Sequence, residues 1–287
     1  MSPRYLEFAR GRSRRSRLGA SPPPCEGRPW RHVFAPALLA LAVLATPARA
    51  VVGGVAESGT LSRATVMVLN SRGGMCSGIV VAPDAVLTAA HCASGAGQYR
   101  IHFRAQDGAP VLLDPAAVAV HPGYDAGAVA GRRRSIDLAL VRLAAPLPAP
   151  FAPAGLSGAP PAKGAAVTLG GYGLLQEGDF GSTGTFRTAA LTAVEPYGRS
   201  AILLWASSPR GAGACEGDSG GPMAGPDDAV AAVTSWAAGP ARTAGPARAA
   251  GSAKNRCGGM SQGVLVSPQR GWIDRTLAGW GRSAAWR

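Results

Sequence analysis

No apolar run beyond residue 50 is long enough to make a core helix before a glycine or proline interrupts it. The 287 residues include 40 Gly and 24 Pro, spread between short runs such as Ala64–Asn70, Ser77–Ala82 and Ala85–Ala90. Such punctuation predicts many short strands joined by turns, an all-β chain. Tyr99–Arg104 alternates as a half-buried strand should, and Ala116–Val120 and Ile136–Leu143 follow. After a Pro/Ala stretch from Ala145 to Lys163 the style repeats in Ala165–Leu169, Phe186–Val194, Ala201–Trp205, Ala229–Trp236 and Gly263–Val266. Two sets of about six strands, over 51–150 and 151–287, predict two barrels or sandwiches. Only the end reads as helix: Ser267 caps, Pro268 starts, and Trp272, Ile273, Leu277 and Trp280 share one face. With 47% hydrophobic and 16% charged residues, the chain has enough apolar material for both cores.

Charge is unevenly spread. Residues 1–50 hold nine of the arginines against Glu7 and Glu26, a net of +7 out of +13. An Arg-rich stretch there precedes the apolar run from Val33 to Ala45, and Ala48-Arg49-Ala50 closes it with a small-x-small pattern. This predicts an export segment, residues 1–50, removed by cleavage after Ala50. The apolar run is shorter than the ~20 residues a membrane span needs, so no stable insertion is expected. The mature chain is expected to be secreted, extracellular or periplasmic. Its remaining arginines are scattered and lack accompanying aromatics, which argues against a nucleic-acid partner. Ala238–Arg256, an Ala/Gly/Pro tract with four basic residues, reads as a mobile surface loop.

Without Cys25, four cysteines remain: Cys76, Cys92, Cys215 and Cys257. An even number in an exported chain predicts two disulfides, in one of three connectivities. There is no CxxC, so neither a metal nor another cofactor is expected.

The chemistry starts at Gly217-Asp218-Ser219-Gly220-Gly221-Pro222. A serine between glycines can occupy a tight turn where backbone amides stabilise an oxyanion. It also satisfies the nucleophile-elbow pattern G-x-S-x-G. That elbow requires a histidine after the serine, and none follows His121. An Asp-His-Ser order would leave only Asp84, seven residues before His91. The order His91, Asp137, Ser219 remains, the one used on the chymotrypsin fold. His91 follows the apolar run Leu87–Ala90 and abuts Cys92, whereas His102 and His121 read as surface or supporting residues. Asp137 stands at the head of a buried strand and must be paired, either with His91 or with a guanidinium among residues 132–134.

Four segments resemble the landmarks of trypsin-like, chymotrypsin-type serine proteases: Val51-Val52-Gly53-Gly54, Leu87–Cys92, Asp137–Leu140 and Cys215–Pro222. Ser235-Trp236 resembles that family's substrate-pairing strand, and Gly171-Tyr172-Gly173 the loop bracing its oxyanion region. The resemblance spans nearly all of 51–287 and implies an all-β fold of two six-stranded antiparallel β-barrels packed around a catalytic cleft, with a C-terminal helix. It implies Ser219 as nucleophile, His91 as general base and acid, and Asp137 as its orienter. The Gly217 and Ser219 amides would form the oxyanion hole, and a freed Val51 ammonium would pair with Asp218. Disulfides Cys76–Cys92 and Cys215–Cys257 are implied, the first worth about 3 kcal/mol by loop entropy. Gly213 and Ala214 would form the pocket floor, Ala237 and Gly263 its walls, with Glu216, Ser235 and Trp236 contacting substrate. Without a carboxylate at Gly213, cleavage after small to medium apolar residues is expected. Partners would be protein or peptide substrates and protein protease inhibitors, and the enzyme a monomer. The competing reading is a catalytically silent binding protein of the same family, against which all three triad residues are present.

Overall fold

A computed structural model describes residues 51–131, 133–194, 201–239 and 256–287. Residues 1–50, expected to be an export segment, and all but the edges of the Ala238–Arg256 tract lie outside the described residues.

The strands are β1 (Val55–Ala56), β2 (Thr65–Asn70), β3 (Met75–Ala82), β4 (Ala85–Thr88), β5 (Tyr99–Arg104), β6 (Pro110–Leu113), β7 (Pro115–Val120) and β8 (Ala139–Leu143), followed by β9 (Gly155–Leu156), β10 (Ala166–Gly171), β11 (Arg187–Val194), β12 (Leu203–Ser207), β13 (Pro222–Ala224), β14 (Val230–Ala238), β15 (Met260–Leu265) and β16 (Ala285–Trp286). Helices are α1 (Thr60–Arg63), α2 (Ala90–Ala93), α3 (Ala128–Gly131) and α4 (Arg270–Gly279).

One sheet runs β6-β5-β2-β3-β4-β8-β7, antiparallel throughout. Its edges β6 and β7 are successive pieces of chain parted by Asp114, so the sheet curls until the edges meet. The second runs β13-β10-β11-β12-β15-β14 and closes through β13–β14. That ring is a six-stranded barrel, with β1 added to β11 and with β9 and β16 added in parallel beyond β14. The all-β, two-barrel expectation holds.

Val66, Val80, Ile101, Phe103 and Val141 fill the first sheet, and Val167, Leu169, Leu191 and Met223 the second. A third cluster lies between them, where Ile79, Leu87 and Leu140 meet Val230, Val233, Ile273 and Leu277. Burying each such side chain is worth roughly 1.5–3 kcal/mol, so the two sheets are held face to face along one apolar seam. The C-terminal helix sits there as its apolar face predicted.

Local departures have local causes. β6 and β13 were not legible, being four and three residues long. The run Ile136–Leu143 joins the sheet only from Ala139, leaving Asp137 outside the ladder. Ala90 leaves β4 to open the one-turn helix α2. Ser267 does not cap α4; it begins a 3-10 turn, Ser267–Gln269, and no side-chain cap bond is present at either N-cap.

Arg282 clamps the buried Asp84 carboxylate from the C-terminal end, with Nε and Nη2 at 2.6 and 2.9 Å. Those bonds outweigh burial and hold the Asp84 carboxyl below its ordinary 3.8. A carboxyl with a depressed folded value contributes stability above the unfolded value and loses it as pH falls through the folded one. Arg282→Ala is therefore expected to lower the thermal midpoint by a few degrees at pH 7. Melts at pH 7 and pH 3 check this: the difference should shrink at the lower pH.

Candidate active site

β4 and β8 are antiparallel neighbours with Thr88 opposite Ala139. His91, three residues past the end of β4, and Asp137, two before the start of β8, therefore meet at one corner of the first barrel. The His91 ring donates from Nδ1 to Asp137 Oδ2 at 2.7 Å, and its backbone N–H donates to Oδ1 at 2.9 Å. Ser235 Oγ donates to Oδ2 at 2.6 Å. The carboxylate side chain is 10% exposed and the imidazole 39%. Burial pushes the Asp137 carboxyl up, but the hydrogen bonds and charge of His91, with the Ser235 bond, win and hold it below its ordinary value. An imidazole bound this way keeps Nδ1 protonated and leaves Nε2 to accept a proton. The guanidinium alternative for Asp137 fails for Arg133, which pairs with Asp125 at 2.7 Å. Arg134 is exposed on the cleft rim, and Arg132 lies outside the described residues.

Ser219 comes from the second barrel, on the turn before β13, and the first barrel holds it through Ser77. The Ser77 N–H donates to the Ser219 carbonyl at 2.7 Å, and its buried hydroxyl donates to the Gly217 carbonyl at 2.9 Å. That hydroxyl also accepts the Tyr172 N–H at 3.0 Å. Cys92 Sγ, next to His91, is 3.7 Å from the Ser219 carbonyl. Ser219 is half-buried, and neither its amide nor that of Gly217 donates a hydrogen bond to another described residue. Two amides free beside a serine hydroxyl suit a developing oxyanion. No hydrogen bond joins the Ser219 hydroxyl to His91 among the described residues; Ser77 and Cys92 bring their backbones together.

The turn depends on glycine. Gly217 and Gly220 have φ of +99° and +83°. A Cβ at Gly220 would overlap the Ser77 carbonyl and Thr88 Oγ1.

Asp218 points the other way, fully buried. Its oxygens accept the N–H groups of Gly173 and Cys215, each at 2.8 Å. Burial raises its carboxyl to about 7 against the pull of those amides and of Arg187. Val51 is also fully buried, and Val52 bridges to Gly213.

Both disulfides form as the resemblance implied, Cys76–Cys92 and Cys215–Cys257. The cluster of Cys76, His91 and Cys92 is consequently no metal site, since its two sulfurs are bonded to each other.

The pocket residues need one correction. Ala237 stands opposite Ser261, whereas Gly263 stands opposite Thr234 and aims its missing side chain at Met223. A bulge at Ser235 shifts the register there, and β-bulges near clefts re-aim side chains. Ser235 thereby reaches Asp137, and Ser261 takes the wall position expected of Gly263. The buried Ser261 Oγ accepts the Ala214 N–H at 2.9 Å and would lie 2.9 Å from a Cβ on Gly213. Ala214 is buried, Ala237 half-buried, and Glu216 exposed. Trp236, exposed, stacks edge-on with Trp205, ring centroids 5.9 Å apart. A cleft of about 540 Å³ runs beside His91, Asp137, Ser235 and Trp236 and is also lined by Gln262 and Tyr124. Ser77 and Ser261 carry no local sequence signal, because their hydroxyls bond groups far along the chain: the Gly217 carbonyl and Tyr172 amide for Ser77, the Ala214 amide for Ser261.

Residues 51–255 match the family model described as Trypsin. Among curated proteins, the chain is 29% identical over 162 residues to brachyurin of Leptuca pugilator, covering 52% of this chain and 70% of that one. It is 30% identical to Kallikrein-15 of Homo sapiens, covering 52% and 65%, and 32% identical to a trypsin-like protease of Streptomyces glaucescens, covering 58% and 67%. The chain thus spans about two thirds of the length of these relatives. In fold it is similar to neuropsin, a serine protease expressed in the limbic system of mouse brain, with a TM-score of 0.62, 23% identity, and coverage of 78% of this chain and 99% of that one. Human heparin binding protein gives 0.62 at 20% identity, covering 82% and 100%. With the family matched over well more than half its length, this chain belongs to the trypsin family of serine proteases.

Proposed function

We propose that the protein is a secreted serine endopeptidase working through an acyl-enzyme. Ser219 attacks the scissile carbonyl as His91 Nε2 takes its proton, forming a tetrahedral intermediate whose oxyanion the Gly217 and Ser219 amides receive. His91 then passes the proton to the leaving amine, the C–N bond breaks, and water releases the acyl group by the same steps. Asp137 holds the imidazole tautomer and stabilises the imidazolium. The observation that carries this reading is the 2.7 Å bond from His91 Nδ1 to a buried carboxylate already bonded by two further donors.

Residues 1–50 act as the export segment, 51–150 carry His91 and Asp137, and 151–287 carry Ser219 and the pocket. Release after Ala50 frees the Val51 ammonium to pair with Asp218, so no separate propeptide is needed. The two disulfides and the absence, among the described residues, of a helix able to cross a membrane fit an exported protein. The enzyme acts as a monomer on protein or peptide substrates and is open to protein protease inhibitors.

The pocket takes small to medium apolar side chains, because Ser261 fills the space beneath Gly213 and no carboxylate stands there. Profiling with a peptide library is expected to show such residues before the cut, and dominance of Arg or Lys would refute this. Gly213→Asp is expected to lower kcat/KM by at least about tenfold without creating Arg cleavage, since its Cβ would press on Ser261 and on Gly258 at 3.0 Å. Assays of that variant on Arg and Leu substrates check it.

A further inference from the structure

We propose that Arg187 is a positioning residue, a buried cation that steadies the Asp218 carboxylate, and with it the oxyanion amides, while Val51 is still joined to Ala50. The inference rests on the oxyanion role proposed for Gly217 and Ser219.

Gly171 and Arg187 are directly opposite in the antiparallel β10–β11 pair. Directly opposite residues project from the same face, with Cβ atoms about 4.5–5.5 Å apart. At Gly171 the space of a side chain is taken by Asp218, whose Oδ1 a Cβ there would strike. The Arg187 side chain therefore leaves the sheet beside the Asp218 carboxylate. Arg187 is 6% exposed, although arginine is almost never fully buried without a partner. Its Nη1 donates to the Ser182 and Thr185 carbonyls, both at 3.1 Å, and its buried Nε has no hydrogen-bond partner. Carbonyl oxygens fix the guanidinium in place but leave its charge uncancelled. Among the described residues no carboxylate makes a contact ion pair with it, so its field acts across the protein interior, where charges are weakly screened. Burial lowers the Arg187 value and the charge of Asp218 raises it, while Arg187 in turn lowers that of Asp218. Asp218 already accepts Gly173 and Cys215 N–H groups in the unbroken chain, so its loop is held without a free amine. The unprocessed protein should accordingly have activity of its own, and that activity should depend on Arg187. After release, the Val51 ammonium supplies the same sign of charge, and Arg187 matters less.

The test compares the full chain with the chain beginning at Val51, each as wild type, Arg187→Met and Arg187→Lys. A small ester substrate gives kcat and KM, and a fluorophosphonate gives the labelling rate of Ser219. In the full chain, Arg187→Met should lower kcat at least about tenfold with KM nearly unchanged, because losing even one oxyanion donor costs roughly 10²–10³. In the released chain the loss should stay under about threefold, and Arg187→Lys should restore most of it in both. Equal losses in the two forms would mark Arg187 as merely structural and overturn the inference. An inert full-length wild type beside an active released one would overturn it as well. Inertness of both wild-type forms would remove the protease reading and this inference together. If Arg187→Met fails to fold, as judged by its thermal midpoint, Arg187→Gln carries the same comparison.

Discussion

Replacing Ser219 by alanine is expected to lower kcat by roughly 10⁴–10⁶, with the thermal midpoint essentially unchanged. The size of the loss follows from the site's construction. In the proposed mechanism Asp137 and His91 serve to move a proton to and from that hydroxyl, and the two amides beside Ser219 receive charge that arises only after attack. Without the oxygen there is no covalent intermediate, and the remaining groups can assist water only weakly. Stability should not follow activity, because the folding contacts of Ser219 are made by its backbone: its carbonyl accepts the Ser77 N–H and faces Cys92. Steady-state rates and a melt on the same preparation check both halves of the expectation.

Gly220→Ala is expected to lose both activity and stability. The residue sits at φ +83°, where a side chain is strained, and its Cβ would overlap the Ser77 carbonyl and Thr88 Oγ1. Neither can give way freely. The Thr88 hydroxyl donates to that same Ser77 carbonyl at 2.7 Å, and Ser77 is the point at which the first barrel grips the nucleophile turn. Gly220 itself donates to the Thr234 carbonyl at 2.7 Å, so backing away would break a bond into β14. Strain and overpacking together suggest a cost of about 3–5 kcal/mol. At roughly 2–4 °C per kcal/mol for a domain of this size, the thermal midpoint should fall by about 10 °C. Kcat should drop at least about 10³-fold as the Ser219 amide leaves its place. Calorimetry and ester hydrolysis on the purified variant test this, and a wild-type melting curve would contradict it.

Much of the fold was legible because strands announce themselves locally. The alternation in Tyr99–Arg104 and the unbroken apolar stretch of Ala229–Val233 each settle their own strand, and glycine or proline marks the turns between. The candidate site residues rest on another kind of signal: chain order and neighbouring residue types narrow the choice to His91, Asp137 and Ser219, and of these the structure joins His91 and Asp137 directly. What stayed hidden depends on contacts far apart in the chain. Ser77 is one small residue in an apolar strand until β3 is set against the Gly217–Ser219 turn, 140 residues away. The same holds for Arg187, an ordinary strand arginine until Gly171 stands opposite it. Gly263 was assigned to the pocket by its position after Cys257, but the bulge at Ser235 displaces the β14–β15 register and puts Ser261 opposite Ala237. A one-residue irregularity of that kind leaves no trace in composition or periodicity.

The proposed function stands or falls with Ser219 as the activated nucleophile. Intact mass spectrometry of the released, folded chain after fluorophosphonate treatment, followed by peptide mapping, tests it most directly. A single adduct on Ser219, slowed at least about 10³-fold in His91→Ala, is the predicted result. No adduct on folded protein, or one carried by any other residue, would contradict it.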